Sequence, residues 1–582
     1  MKNLKTKVLI ILLLAFIFRL YGLNWDQGQH LHPDERFLTM VLTSMKIPQS
    51  LGDYLDPKIS TMNPYNVGYG FFVYGTFPLN LTKVLGVLAD NDNYGNIHLI
   101  GRILSALFDV GTVYLVYLIS KKIIHPQQPT VPLLAAFLYS IMVLPIQLSH
   151  FFTVDTFLNF FLVLSFYFLI SLLLTKSDFA ETKRGRSFLT ASFLGFSFGL
   201  ALACKISAAL FLPVIGLGFL FILLKSKKII FFALCALCFG LCAYGAFRFN
   251  QPQAFVDNNF FRPIPNPKFV NNLKELNVSA DPNGWYPPAI QWIGTKPIIF
   301  PLKNMVLWGL GLPLGIISLG AIVFFINLLI QSIIKKRTKF RLPLSTSYLL
   351  MLFWIIFLFI YQGVQFGKVS RYFYPIYPFL AILSALFLSN ISTCIKKTFP
   401  HKFLIFNFSF FILILVYPLS FLNIYTKPIT RVTASEWIYQ NILPGSILSY
   451  EHWDDGLPLG LKGKSSSLYQ LEELALFAPD TEEKWKIINR QLAKIDYLVL
   501  SSNRLWGSIG RLPQKYPVSA KFYQDLLAGK LNFEKIAEFT SYPCFPPGKY
   551  NLFCFPDQSA DESFTVYDHP KVMIFKRRAK IN

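Results

Sequence analysis

Over roughly the first 425 residues the chain alternates between long apolar runs and short polar connections. Runs near 20 residues can cross a hydrocarbon core about 30 Å thick as helices. They fall at about 8–23, 99–120, 131–149, 156–174, 188–203, 206–224, 229–248, 303–330, 347–366, 372–391 and 403–424. One further apolar stretch, 69–90, is interrupted by Pro78, Asn80 and Lys83. Beyond residue 425 the pattern changes to that of a water-soluble domain. There Ile495–Leu500 (IDYLVL) and Thr565–Phe575 read as strands, and Glu482–Leu492 as helix. The pattern predicts a polytopic α-helical membrane protein of about eleven spans, residues 1–425, with loops at 24–98 and 249–302. A C-terminal α/β or α+β domain follows at 426–582.

Composition agrees: 53% of the 582 residues are hydrophobic, 16% aromatic and only 15% charged, against about 25% charged in a soluble domain. A soluble enzyme, a secreted disulfide scaffold and a disordered protein are excluded. The net charge of +24 would suggest nucleic acid in a soluble chain, but cytoplasmic loops of membrane proteins collect Lys and Arg. If 69–90 crossed the membrane, Lys121–Lys122 and nearly every later basic loop would lie outside. If it lies along the membrane surface, they all fall inside with the N-terminus. Then 20 of the 55 basic residues occupy short cytoplasmic segments, at the N-terminus, 121–122, 176–186, 225–228, 335–341 and 396–402. This predicts N-in, C-out topology in the plasma or inner membrane, with loops 24–98 and 249–302 and the C-terminal domain extracytoplasmic. No small-residue cleavage site follows the first span, and Arg19 interrupts its end, so an uncleaved anchor is expected.

Charge is scarce enough that its few external positions matter. The first loop carries Gln29-His-Leu-His-Pro-Asp-Glu-Arg36. Here two adjacent carboxylates stand beside two imidazoles, groups suited to general-base work or metal ligation. A solvated turn with Asp34 capping a helix is the structural alternative. Asp155, the only acid between 110 and 177, opens the fourth span, either as a helix cap or as a functional group. Arg102, Lys205, Lys368 and Arg371 fall at the same outer level. Singly such cations snorkel; together they can hold a phosphate. Cys204, Cys235, Cys238, Cys242 and Cys394 sit in or beside spans as small apolar residues, whereas Cys544 and Cys554 are both external, where a disulfide is an open alternative.

His32-Pro-Asp-Glu35, Gly101-Arg-Ile-Leu-Ser-Ala106, Thr153-Val-Asp155, Gly199 to Pro213 around Lys205, and Lys368 to Pro378 (KVSRYFYPIYP) occur in this order. Together they resemble the GT-C glycosyltransferases, nearest the polyprenyl-phosphate-sugar-dependent group of protein O-mannosyltransferases and lipid A aminoarabinose transferases. The stretches SEWIYQNILPGS, EHWDDGLPL and DESFTVYDHPKV are similar to bacterial phospholipid-carrier-dependent glycosyltransferases. The resemblance implies transfer of a sugar from a polyprenyl-phosphate carrier to an acceptor hydroxyl or amine on protein, lipid or glycan, with inversion at the anomeric carbon. It implies Asp34 as base, Glu35 as its assistant, Asp155 as a positioning group, and Lys205, Arg371 and Arg102 as cations on the leaving phosphate. His32, His150, Tyr372 and Trp285 are candidate substrate contacts. Relatives carry His-Pro-Pro or Lys-Pro elements after the first loop where this chain has Asn63-Pro64-Tyr65 and Thr76-Phe77-Pro78. No cofactor is expected to be required, and a divalent metal, for which the chain carries no clear motif, is the alternative.

The expected partners are the lipid-linked donor, the acceptor and membrane lipids, not nucleic acid. A flippase for polyprenyl-linked sugars is the competing class. It calls for ionisable or broken-helix sites near the midplane and for paired halves, whereas the acids here cluster at the ends of spans. A membrane-anchored binding protein leaves the gathered acids and cations without a purpose.

Overall fold

The computed structural model describes residues 2–174, 181–226, 228–278, 281, 286–334, 346–398, 403–548 and 550–579. Trp285 and the basic loop 335–341 lie outside the described residues, as do parts of the basic loops at 176–186 and 396–402.

Helix α1 (Lys2–Leu20) is followed by two short helices in the first loop, α2 (Pro33–Ser44) and α3 (Phe77–Leu88). Next come α4 (Ile97–Ile123), α5 (Val131–Ser140), α6 (Val143–Ser149), α7 (Asp155–Leu173), α8 (Glu181–Cys204), α9 (Leu212–Ser226) and α10 (Ile229–Asn250). After the second loop, α11 (Leu312–Ile334), α12 (Thr346–Gly363), α13 (Tyr377–Thr398) and α14 (Phe403–Leu422) complete the helical part. Among the described residues nine helices are long and apolar enough to cross a membrane, or ten when α5 and α6 count as one bent span. The protein is a multi-pass membrane protein. α1 adds a nineteen-residue apolar helix with Lys2, Lys5 and Lys7 near its start and Arg19 in its last turn. The stretch 69–90 yields only the twelve-residue α3, too short to span.

Two departures from the expected spans have local causes. The run 131–149 bends by 56° between α5 and α6. Pro145 lacks the N–H that would bond the Ile141 carbonyl one turn back, so the helix cannot run straight through. The run 303–330 is divided by a wide turn at Met305–Gly309 before α11 starts at Leu312. Elsewhere close packing needs small residues. A Cβ on Gly195 or Gly199 of α8 would stand 2.2 or 2.3 Å from a backbone carbonyl of α10. Such close backbone approach is how apolar helices bind one another without a hydrophobic driving force.

The C-terminal domain contains α15 (Thr430–Asn441), β1 (Ile447–Glu451), β2 (Gln470–Leu474), α16 (Glu482–Lys494), β3 (Tyr497–Leu500), α17 (Pro517–Leu527), β4 (Phe533–Phe539), β5 (Cys544–Phe545), β6 (Phe553–Cys554) and β7 (Val572–Arg577). Its main sheet has the order β2-β1-β3-β7-β4, parallel across β2-β1-β3 and antiparallel across β3-β7-β4. Leu448, Leu498, Val499, Leu500 and Ile574 are buried within it. The expected strand 565–575 begins only at Val572. Asp561 caps a helical turn at Glu562–Thr565 by accepting the Ser563 amide hydrogen, which takes that segment out of the sheet. Cys544 and Cys554 are bonded across the β5–β6 hairpin. Phe564, which follows β6, is buried in the same core as the spans, so the domain is packed against the membrane part.

Candidate active site

Helix α2 begins with His32 as its cap, Pro33 in the first position and Asp34 and Glu35 in the first turn. Proline tolerates that position, and the helix dipole favours acids there. Asp34 accepts a hydrogen bond from Arg371, which stands in the 3₁₀ stretch Ser370–Ile376 before α13. The same guanidinium lies 4.0 Å from Asp155, the first residue of α7, whose dipole also favours a carboxylate. Lys205, extended between α8 and the following 3₁₀ turn, donates to Asp155 at 3.0 Å and stands 4.9 Å from the ring centre of Tyr372. Four groups from four separate segments thus form one chain, Asp34–Arg371–Asp155–Lys205. Asp34, Arg371 and Lys205 keep 20%, 21% and 23% of their side-chain surface exposed, so the cluster can reach an incoming molecule.

Burial would raise the Asp34 pKa. The Arg371 charge, His32 and hydrogen bonds from Arg371 and Tyr74 outweigh it, and the carboxyl titrates well below its ordinary value of 3.8. His32 is pushed down to about 4, chiefly by burial, and so is neutral at physiological pH. Its ring packs on Phe151 and Tyr567, with centroids 4.6 and 4.1 Å away.

Glu35 has a different fate. It is fully buried, takes 2.9 and 2.5 Å bonds from Arg102 and accepts the Phe152 amide hydrogen at 2.7 Å. Arg102 also bonds Asp26 at 3.0 Å and the Leu23 carbonyl at 2.8 Å, and Trp25 lies against its face. Glu35 and Arg102, expected to assist the base and to hold phosphate, instead fasten the first loop to α4. Neither has surface left for a substrate. His150 is likewise enclosed: its ring nitrogens meet the Ile146 and Tyr21 carbonyls, and its ring stacks on Tyr425. Lys368 is buried against the Phe366 carbonyl and the Thr295 hydroxyl. Tyr372 does flank Lys205, whereas Trp285 lies outside the described residues.

Several neighbours of the cluster were not legible as such in the sequence. Tyr74 precedes Gly75, where a Cβ would stand 2.0 Å from the Ala203 carbonyl, so only glycine lets this loop lie against the end of α8 near Lys205. Tyr286 feels the Asp34 charge and, mostly through burial, is pushed up to about 12. From the C-terminal domain, Asp561 accepts the Ser370 amide and hydroxyl hydrogens, both at 3.0 Å, and so holds the turn that carries Arg371. Arg36 pairs with Asp455 at 2.7 Å, and Gln147 of α6 donates to Asp568. Beneath the cluster, Asp109 accepts from Arg19 at 2.6 Å and from Tyr139 and Tyr374 at 2.5 Å, joining α1, α4, α5 and the Arg371 turn. Among the described residues no three His, Cys, Asp or Glu side chains are grouped to hold a metal ion. Asp34 and Asp155 face the cations Arg371 and Lys205, so the residues present do not fit a metal between the two acids.

Residues 94–244 match the family model described as dolichyl-phosphate-mannose-protein mannosyltransferase. The oligosaccharyltransferase AglB from Archaeoglobus fulgidus, in complex with an inhibitory peptide and a dolichol-phosphate, superposes with a TM-score of 0.51 at 14% identity, covering 91% of this chain and 73% of that one. The A. fulgidus oligosaccharyltransferase tethered to an acceptor peptide gives 0.50 at 14% identity, covering 98% and 88%. ArnT from Cupriavidus metallidurans in the apo state gives 0.44 at 12% identity, covering 91% and 95%. No curated protein matches the sequence. The fold is that of the GT-C glycosyltransferases.

Proposed function

We propose that the protein is an inverting glycosyltransferase that moves a sugar from a polyprenyl-phosphate carrier to an acceptor hydroxyl or amine at the outer face of the membrane. The observation that carries this is the Asp34–Arg371–Asp155–Lys205 chain at the ends of spans, in which Arg371 pairs with Asp34, the carboxylate best placed to act as base, and both Arg371 and Lys205 meet Asp155. The mannosyltransferase family model over 94–244 supports the reaction class, and the dolichol-phosphate held by the structurally similar AglB supports a lipid-linked donor.

On this view Arg371 and Lys205 take the phosphate that links sugar to lipid, with Lys205 a point charge and Arg371 a planar fork. Charge on the phosphate grows as the glycosidic bond breaks, and fixed cations in a partly dry site stabilise that growth without having to reorganise. Arg371 is shared: a phosphate that draws it away removes the strongest influence holding the Asp34 pKa down. The carboxylate then becomes a stronger base as the donor arrives. Asp34 takes the acceptor proton, the acceptor atom attacks the anomeric carbon from the opposite side, and polyprenyl phosphate leaves. Asp155 holds Lys205 and orients Arg371. No covalent sugar–enzyme intermediate and no metal step is needed. Glu35 and Arg102 act only by positioning α2.

The test is reconstitution in vesicles with polyprenyl-phosphate sugars and candidate protein, lipid or glycan acceptors, comparing wild type with Asp34→Asn. Release of polyprenyl phosphate coupled to sugar transfer, lost in the variant, is the expected result. Undiminished transfer by the variant removes Asp34 as base. Movement of intact donor across the bilayer without that release makes the protein a flippase.

A further inference from the structure

The disulfide-closed hairpin β5–β6 bears on how the C-terminal domain meets the bilayer. Cys544 pairs with Cys554 and Phe545 with Phe553 across the two strands, and the Leu552 amide closes the loop on the Phe545 carbonyl at 2.7 Å. The loop turns its apolar residues outward: Tyr550 is 82% exposed, Leu552 80% and Phe553 46%. An apolar cluster of this kind facing water on a small cross-linked hairpin costs solubility and marks a contact surface.

The hairpin's position identifies the contact. Phe555, next to the hairpin, packs edge-on against Tyr417 of α14 with ring centroids 5.4 Å apart. Gly548 in its loop donates to Asn423, just past the end of the same helix, at 2.7 Å. Tyr417 lies five residues before the end of α14, about 7–8 Å along the axis at 1.5 Å per residue. The hairpin therefore stands at the depth where a spanning helix leaves the hydrocarbon for the headgroups. The helix surfaces that start nearby are lipid-facing: Ile412 and Leu413 of α14 are exposed, as are Leu312 and Ile316 of α11, which begins beside Tyr417. Tyrosine and other large apolar side chains suit this interfacial layer, with the ring or chain in the acyl boundary and polar atoms in the headgroups.

We propose that the Cys544–Cys554 hairpin is an interfacial lipid anchor: its Tyr550, Leu552 and Phe553 seat in the membrane leaflet on the C-terminal domain's side. The anchor fixes that domain's height above the membrane, and Asp561 of the same domain holds the Arg371 turn. The disulfide keeps the short loop in one shape, so its apolar residues enter the interface together.

The experiment uses the full chain in vesicles of phosphatidylethanolamine and phosphatidylglycerol, with dansylalanine incorporated in place of Leu552 or, as a control, in place of exposed Ile487 on α16. A blue-shifted emission at 552, quenched severalfold more by doxyl groups near the acyl-chain head than at its tail, with neither effect at 487, is the expected result. Introducing Tyr550→Asp beside the 552 probe is expected to reduce the quenching severalfold while the thermal melt of the protein stays put. A 552 probe as unquenched as the 487 probe overturns the proposal. So does energy transfer between probes on different molecules without lipid quenching, which assigns the hairpin to a contact between copies of the chain.

Discussion

Asp34 and Glu35 are neighbours in sequence, in one helical turn, and each pairs with an arginine, yet they belong to different kinds of site. Glu35 shares Arg102 with Asp26 in a fully buried knot whose hydrogen bonds are directed at the fold itself. Asp34 shares Arg371 with Asp155 in a cluster that remains about one-fifth open and includes a second cation. A guanidinium saturated by carboxylates and a carbonyl has nothing to offer a phosphate; one shared with surface to spare can change partners. The presence of an ion pair is thus less informative than the capacity each member retains.

The sharpest way to break this comparison is to remove each acid or arginine and ask whether activity or stability responds. Asp34→Asn is expected to lower sugar transfer by roughly 10²- to 10⁴-fold, the usual worth of a positioned base. The melting temperature in detergent should fall less than it does when the buried Arg102 knot is opened. A variant that unfolds instead would place Asp34 with Glu35 among the fold's supports. Arg102→Met leaves Glu35 and Asp26 buried with no cation, a loss of about 3–5 kcal/mol. Denaturant unfolding measures it, and wild-type stability in this variant would contradict the assignment of the knot to folding. Arg371→Met should do the reverse. About 10²–10³-fold of transfer goes with the preorganised cation, while stability should fall less than in Arg102→Met because Asp34 and Arg371 keep about one-fifth of their side-chain surface in water.

The smallest expected effect is in pH dependence and follows from the sign of the Asp34 shift. Its folded pKa is depressed, so its contribution to stability is present above the ordinary 3.8 and is lost as pH falls through the lower folded value. For wild type, a profile of kcat/KM should show no acid limb from Asp34 in the neutral range. In Arg371→Met the burial that raises the pKa loses its main opponent, and the acid limb of the residual activity should move up in pH. A limb that stays where wild type has it would mean that Arg371 does not govern the base.

Much of this fold could be seen along the chain. Apolar run length marks α4 and α7 to α14, because a segment in lipid must satisfy its backbone internally and cover about 30 Å, and it was the charge of the later loops that kept 69–90, which holds the short α3, out of the count. The helix read at 482–492 and the strand read at 495–500 form as Glu482–Lys494 and Tyr497–Leu500. The strand expected at 565–575 did not form throughout, because Asp561 bonds its own following backbone and starts a turn instead. In the site, scarcity pointed to Asp34, Asp155, Lys205 and Arg371. Scarcity alone could not separate Asp34 from Glu35, since both are rare acids in one polar loop. Nor could it reveal Tyr74, Tyr286, Tyr567 or Asp561, whose common residue types become informative only through contacts between segments far apart in the chain.

By itself, then, the sequence determined that the chain lies in a membrane, roughly where its apolar helices fall, and which few charged residues stand near their ends. Those properties depend on local composition, because transfer of a segment into hydrocarbon is decided residue by residue. Only the tertiary structure decided which charges meet. It closed Arg102 on Glu35 and Asp26, left Arg371 shared between Asp34 and Asp155, and laid the C-terminal domain beside them. Pairing depends on distance and on the remaining exposure of each group, and these are set by packing among segments far apart in the chain.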